Sequence, residues 1–149
     1  MTEILENKLY IIDERDFCDS EYGEDFSIVV ASVNLFYEFA ECKSTALRIK
    51  RQGDRKIGIF LRENSREYDL DFDRINTVVD FIAEQIKAGK KVVVASKNKW
   101  NVALFLALLY GICAGIFICD DLENLERLFP ESQLTDTYKD FLYEYIYFE

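Results

Sequence analysis

The chain has 149 residues, which is the size of a single domain with a substantial hydrophobic core, and we expect one domain over residues 1–149. Half of the residues are hydrophobic, and one proline and six glycines are too few for a disordered or low-complexity protein. The formal net charge of −10 argues against a nucleic-acid partner, because phosphate backbones repel an acidic surface.

The first half of the chain is predicted to be mostly β-structure. Hydrophobic alternation and β-branched runs predict strands over residues 4–12, 26–33, 46–50 and 56–61. The last two are expected to pair across a turn around Gly53, as an edge hairpin with one solvated face, because basic and apolar residues alternate there. Residues 14–22 and 34–42 are predicted to be loops or short helical turns.

The second half is predicted to be mostly helical around one buried strand. Aspartates at 69, 71 and 73 precede an amphipathic pattern that predicts a helix ending near Gly89. The elements expected after it are a strand at 92–94, a helix at 102–110, a turn at 111–118, and helices at 120–128 and 135–148. Pro130 would stop the first of these last two helices. Strands interleaved with helices predict an α/β fold with a mostly parallel sheet.

Residues 90–110 are the stretch around which the rest of the chain is organised. Val92, Val93 and Val94 form an unbroken β-branched run, which is typical of a strand buried on both faces. A polar loop follows, and from Val102 the chain is almost continuously apolar, as in a buried helix. The N–H groups of such a loop and first helical turn have no intrahelical partner, so we expect an anion site there.

This stretch resembles the dual-specificity type of cysteine-dependent phosphatases, where a strand leads into the loop H-C-x-x-G-x-x-R-S and a buried helix. Ala95 stands at the histidine of that pattern, Ser96 at the cysteine, Lys99 at the glycine, Val102 at the arginine and Ala103 at the serine. Other parts of the family pattern resemble residues 3–17, 25–34, 60–94 and 129–149, in the same order. The resemblance implies a three-layer fold with a central, mostly parallel sheet flanked by helices.

The resemblance also implies which groups phosphate-ester hydrolysis would need. The nucleophile would be a thiolate of lowered pKa, but Ser96 stands there, and the chain has no histidine that could act as its base. The arginine that grips the phosphate is replaced by Val102. The general acid aligns best with Asn64, whose amide cannot donate that proton; Glu63, one residue away, is the weaker alternative. We therefore expect no phosphatase activity and no catalytic residue.

The cysteines give no sign of a metal site or a disulfide framework. Cys18, Cys42, Cys113 and Cys119 have no C-x-x-C spacing, so we expect no zinc and no cofactor. Four free thiols in a reducing cytosol are the favoured interpretation, which predicts a cytoplasmic protein. Residues 1–8 are acidic and polar rather than a secretory signal, and the apolar run 102–119 is interpreted as a buried helix and a turn, not a membrane span.

Charge is unevenly distributed along the chain. Residues 1–25 and 120–149 each carry nine acids and two bases, while residues 26–119 carry ten acids and fourteen bases. The basic middle is either an ordinary solvated surface or an anion-attracting face, and the sequence leaves both interpretations open. The candidates for contact with an anion or a partner, by position alone, are Lys97, Asn98, Lys99, Trp100 and Asn101. For Trp100, packing at the helix start is slightly favoured over an exposed anchor.

Three functions are compatible with these features. The leading one is a catalytically inactive dual-specificity-type phosphatase domain that acts as a binding, scaffold or competitor protein. Its partner would be a protein, and phosphoproteins are among the candidates. The second is an active hydrolase that uses Ser96 or a cysteine as its nucleophile. The third is an unrelated α/β assembly protein whose last helix buries aromatic residues against another subunit, although nothing in the sequence supports a homo-oligomer. Those aromatic residues are Tyr138, Phe141, Tyr143, Tyr145, Tyr147 and Phe148.

Overall fold

The computed structural model describes residues 1–18, 22–32, 49–64, 70–117 and 122–148. The strands in these ranges are β1 (Thr2–Leu5), β2 (Leu9–Asp13), β3 (Phe26–Val30), β4 (Ile49–Gln52), β5 (Lys56–Ile59) and β6 (Lys91–Ser96). The helices are α1 (Glu14–Cys18), α2 (Phe72–Lys87), α3 (Leu104–Cys113), α4 (Leu122–Leu128) and α5 (Asp136–Phe148). A short π-helix, Lys99–Ala103, leads directly into α3.

The strands form one sheet in the order β1-β2-β6-β3-β5-β4. The four inner strands are parallel, and each outer strand is antiparallel to its neighbour. β6 lies between β2 and β3, so it has a hydrogen-bonded neighbour on both sides. The predicted α/β fold with a mostly parallel sheet is confirmed, and so are the central strand and the edge hairpin of β4 and β5.

The two faces of β6 are both covered. Val92 and Val94 belong to the main hydrophobic core, and Val93 and Ala95 belong to a second, smaller cluster. The main core is filled by buried side chains of α2, α3 and α5. On the opposite face Phe17 of α1 packs against the smaller cluster. A strand buried on both faces needs apolar residues at every position, which explains the unbroken valine run.

The amphipathic helix α2 begins and ends as its sequence predicts. The Asp71 side chain caps it by accepting from the N–H groups of Asp73 and Arg74 at 3.0 and 3.2 Å. Beyond its last turn Gly89 takes a φ of 84°, a left-handed conformation that glycine adopts without strain. Its buried Gln85 accepts a hydrogen bond of 2.6 Å from the Ser27 hydroxyl, which ties the helix to β3.

Two sequence predictions need correction. The first predicted strand is two strands, because Asn7 turns the chain in a left-handed conformation with φ 58° and folds β1 back onto β2. The buried helix starts earlier and ends later than predicted: helical structure begins at Lys99 and continues through Gly111 to Cys113. A β-carbon at position 111 would overlap the Phe117 ring, so the packing favours glycine within this helix.

Some predictions fall on residues that the structure does not describe. These include residues 34–42, the first three residues of the strand predicted at 46–50, the aspartate at position 69, and the aspartate proposed to begin the helix at position 120. The side chains of three predicted free thiols, Cys18, Cys42 and Cys119, also lie outside the described set, whereas Cys113 is exposed. In the part of the chain that is described, no helix combines the length and the hydropathy that crossing a membrane requires.

Candidate functional site

The carboxyl ends of the four parallel strands meet at one edge of the sheet, which is where open α/β sheets usually bind ligands. β6 ends there at Ser96 and continues into the turn and π-helix before α3; we call residues 96–103 the β6–α3 segment. Asp13, the last residue of β2, is paired with Ser96 in the sheet register. Ser32 follows β3, and Glu63 follows β5. The predicted loop thus lies among polar side chains from three other strand ends.

Hydrogen bonds within the β6–α3 segment hold it in shape. The Ser96 hydroxyl donates to the Asn98 carbonyl at 2.8 Å and accepts from the Ala103 N–H at 3.0 Å. The Asn98 side-chain oxygen accepts from the Trp100 N–H at 3.0 Å, and the Asn98 carbonyl accepts from the Asn101 N–H at 3.0 Å. These bonds occupy three of the backbone donors that an anion would otherwise use.

Two carboxylates from outside the segment occupy further donors. One oxygen of Glu63 accepts from the Asn98 N–H at 3.0 Å, and the other accepts from the Asn101 side-chain amide at 2.6 Å. Asp13 accepts from the Lys99 N–H at 2.8 Å. Carboxylates on backbone N–H groups at the start of a helix make charge-assisted bonds, as a bound phosphate would. Two of the N–H groups expected to contact an anion, those of Asn98 and Lys99, are therefore bonded to carboxylates of the chain itself.

Asn101 connects the Glu63 carboxylate to the residues that precede α5. Its amide nitrogen also donates to the backbone carbonyl of Glu63 at 2.9 Å, and its side-chain oxygen accepts from the Thr135 N–H at 3.0 Å. A further bond of 2.9 Å runs from the Gln133 N–H to the Trp100 carbonyl. Only 3% of Asn101 is exposed, so these partners replace water. The residues before α5 thereby close the segment from one side.

The structure separates the predicted site residues by their exposure. Those that are buried are Ala95, Ser96, Asn101 and Val102; those that are half-buried are Asn98, Lys99 and Trp100; and those that are exposed are Asn64 and Lys97. Val102, which only the resemblance aligns with an arginine, is fully buried in the main core and does not line the opening of the site. Among the five candidates for contact with an anion or a partner, Lys97 is the one that is exposed.

Trp100 and Lys99 contact each other and the protein. The indole packs against the main core, and the Lys99 ammonium nitrogen lies 5.5 Å from the centre of its ring. A cation over an aromatic face at this distance is a favourable contact. Both side chains thus have partners within the chain at the start of the helix.

An open cleft of about 360 Å³ lies beside the segment. Glu14, Ser32, Glu63, Asn64 and Lys97 contribute to its walls. Its acidic and basic side chains are mixed, so the cleft has no strong preference for one sign of charge. A second opening of about 610 Å³, with Lys97 in its wall as well, has an equally mixed lining.

The chemistry open to Ser96 is narrow. Its side chain is fully buried, and its hydroxyl both donates and accepts a hydrogen bond within the segment. A serine nucleophile needs a base in hydrogen-bond contact with its hydroxyl, whereas this hydroxyl donates to the backbone carbonyl of Asn98. The arrangement makes Ser96 a structural residue of the segment.

Sequence reasoning identified Glu63 only as the weaker alternative to Asn64, and it missed Asp13. In the structure Glu63 contacts the segment, while Asn64 is exposed at the cleft. The available signal for Asp13 was its place at the end of a predicted strand, since the carboxyl ends of parallel strands share one edge. The missing information was that β2 is the neighbour of β6.

Comparison with known proteins gives no assignment: no protein-family model and no curated protein matches the chain.

Proposed function

We propose that this chain is a catalytically inactive domain of dual-specificity-phosphatase type that works by binding a protein partner. The observation that carries the proposal is the occupation of the β6–α3 segment by the chain's own carboxylates, Glu63 and Asp13. A site filled in this way has little capacity left for a phosphate ester.

Each chemical role in hydrolysis lacks a suitable group. The nucleophile position holds Ser96, whose hydroxyl is buried and bonded within the segment. The arginine position holds Val102, which is packed in the core. The general-acid position holds Asn64, an amide. A hydrolase would need at least a nucleophile and a group that stabilises the transition-state charge.

Binding of a free phosphate is disfavoured by charge as well as by occupation. A phosphate at the segment would approach two carboxylates that already accept hydrogen bonds from the segment's N–H groups. At a separation of 4 Å two like charges repel by about 1 kcal/mol in water and about 4 kcal/mol near a protein surface. The partner that fits this proposal is therefore recognised at another surface, and a phosphate on it is not required.

The strand–segment–helix arrangement supports the phosphatase-type resemblance over the interpretation as an unrelated assembly protein. β6 is central, its end lies at the carboxyl edge of the sheet, and a buried helix follows within a few residues. These are the relations that the resemblance requires. The fold class alone would not distinguish the two interpretations, because one fold serves many functions.

Calorimetry with inorganic phosphate, sulfate and a phosphotyrosine peptide tests the proposal. The wild-type chain is expected to show no binding of any of them, whereas Glu63→Ala combined with Asp13→Ala is expected to bind phosphate with a measurable Kd, at least about tenfold below the weakest Kd that the calorimeter detects, a difference of about 1.4 kcal/mol. Glu14→Ala is the matched control, because it removes one negative charge from the same cleft. Circular dichroism would verify that the variants are folded.

Two outcomes would overturn the proposal. One is hydrolysis of p-nitrophenyl phosphate by the wild-type chain that disappears when Ser96 or a cysteine is replaced. The other is phosphate binding by the wild-type chain that Lys97→Ala and Lys99→Ala abolish, since the segment would then be a working phosphate site.

A further inference from the structure

Three aromatic side chains form a continuous surface feature between the start of α2 and the middle of α5. The ring of Phe72 lies 5.9 Å from that of Tyr145 in a stacked arrangement and 6.0 Å from that of Phe141. The rings of Phe141 and Tyr145 are 6.3 Å apart and nearly parallel. We call Phe72, Phe141 and Tyr145 the aromatic seam. Phe72 is 51% exposed, although it is among the most hydrophobic side chains.

Buried aromatic rings of the core pack against the aromatic seam. Phe141 meets the fully buried Phe105 edge to face at 5.4 Å, and Phe105 lies 4.6 Å from the buried ring of Tyr138. At the surface the Tyr145 hydroxyl lies 3.5 Å from the side-chain oxygen of Asn76. Rings packed in this way keep their positions, so they lose little conformational entropy when a partner contacts them.

Both helices that carry the aromatic seam also carry exposed carboxylates. The helical repeat places the exposed Asp140 and Glu144 on the face of α5 adjoining Phe141 and Tyr145. It likewise places the exposed Asp73 beside Phe72 at the start of α2, and the exposed Asp80 about two turns further along that helix.

The basic residues of these two helices do not neutralise those carboxylates. Arg74 pairs with the capping Asp71 at 3.0 Å, and Lys139 pairs with Glu126 of α4 at 3.1 Å. The remaining base, Lys87, lies in the last turn of α2, at the opposite end from Phe72. Among the described residues of α2 and α5, the aromatic seam is therefore an apolar strip bordered by acidic side chains.

We propose that the aromatic seam and its flanking carboxylates form a docking surface for a protein segment that carries arginine. A guanidinium can stack flat on Phe72 or Tyr145 and direct its N–H groups to a neighbouring carboxylate. Lysine has no planar face to stack and is more strongly hydrated, so it fits less well. A second copy of the chain would bring its own acids against these acids, which disfavours self-association through this face.

This inference rests on the proposed function only in taking binding as the activity of the chain. The β6–α3 segment and the aromatic seam are different places: Thr135, just before α5, contacts the segment, while the seam lies further along the helix. Each can therefore be tested without disturbing the other.

The test uses fluorescence anisotropy with three labelled twelve-residue peptides of one alanine-based sequence that carries four arginines, four lysines or four glutamates. The arginine peptide is expected to bind the full chain at least about fivefold more tightly than the lysine peptide, and the glutamate peptide is expected not to bind. Phe72→Ala should weaken binding of the arginine peptide about tenfold. Asp140→Asn combined with Glu144→Gln should weaken it and reduce its dependence on salt.

The matched control is Leu128→Ala, because Leu128 is a similarly exposed apolar side chain, 58% accessible, on α4. It should leave peptide binding unchanged. Equal binding of arginine and lysine peptides that Phe72→Ala does not alter would overturn the inference, because it would reflect general attraction to an acidic protein. Absence of binding would also overturn it, as would sedimentation showing a dimer that Phe72→Ala dissociates. None of these results bears on the calorimetry of the β6–α3 segment.

Discussion

The β6–α3 segment and the aromatic seam differ in how far their binding capacity is already used. In the segment the backbone N–H groups of Asn98, Lys99 and Trp100 are bonded to the side chains of Glu63, Asp13 and Asn98. In the seam half of the Phe72 surface remains in contact with water. The place that sequence reasoning marks as a binding site is closed by internal partners. The more open surface combines Phe72, which the sequence analysis did not single out, with two aromatic residues of the last helix that it offered for contact with another subunit.

The physical reason for this contrast is that polar groups and apolar surface differ in how internal contacts use up their capacity to bind a ligand. Polar groups are satisfied by a few directional bonds, and once those are made a ligand must break them before it can bind. Apolar surface has no such saturation, since each additional area removed from water adds a favourable increment. A chain can therefore close a polar site with two side chains, while an exposed aromatic strip stays available until something covers it.

The largest effect is expected from breaking the closed segment at its centre. Asn101→Ala removes the amide that bonds Glu63 and Thr135 in a buried position, and it leaves those partners without replacement. Each unsatisfied buried group costs about 1–3 kcal/mol, so the free energy of unfolding should fall by about 3 kcal/mol. Urea denaturation monitored through Trp100 measures this loss.

The control for that change is Asn64→Ala, because Asn64 is exposed and its truncation should change stability by less than about 0.5 kcal/mol. A double-mutant cycle with Glu63→Ala should show a coupling energy of about 1–3 kcal/mol, since the two residues bond directly. A coupling near zero would contradict the description of Glu63 as a fixed part of the segment.

A smaller effect is expected at the helix cap beside the aromatic seam. The Arg74 backbone N–H, assisted by its guanidinium and by the Asp73 N–H, holds the pKa of Asp71 below its ordinary value. Asp71→Ala should cost about 1 kcal/mol at neutral pH because the cap of α2 is lost. Chemical denaturation of the wild-type and variant chains measures the difference.

The pH dependence of that difference follows from the direction of the shift. A carboxyl with a lowered folded-state pKa contributes stability above its unfolded pKa, and the contribution is lost as the pH falls through the folded value. The stability difference between wild type and Asp71→Ala should therefore be constant from neutral pH down to about pH 5 and shrink below about pH 4. A difference that grew on acidification would contradict the assignment of the cap.

The smallest effect on stability is expected at the exposed ring of the aromatic seam. Phe72→Ala removes a side chain that is half in water, and alanine is the better helix former, so the loss should be less than about 1 kcal/mol. Thermal and urea denaturation would measure it. A loss of about 3 kcal/mol or more would mean that Phe72 is part of the core, and the contrast between the closed segment and the open seam would then fail.

Much of the fold could be predicted because local pattern and tertiary environment agree. The valine run of β6 has one interpretation, a strand covered on both faces, and the spacing of apolar residues in α2 places one face of that helix inwards. The split of β1 from β2 was missed because an asparagine turn carries a weak signal within an apolar stretch. The continuation of α3 through Gly111 was missed because glycine usually marks a helix end.

The candidate site could be predicted less completely. The position of the β6–α3 segment follows from the sequence, whereas the roles considered for Ser96, Val102 and Asn64 rest on the resemblance alone and stay predictions. The partners of its donors do not follow, since Asp13 is separated from Lys99 by 86 residues and Glu63 from Asn98 by 35. No local pattern connects residues so far apart.

The sequence by itself determined the alternation of strands and helices, the buried central strand and the lack of any histidine in the chain. Only the tertiary structure decided what occupies the segment after β6 and which apolar residues remain outside. Periodicity reports the environment of a residue relative to its own helix or strand. Strand order and helix packing determine which distant carboxylate meets a backbone N–H, and which aromatic ring is left uncovered.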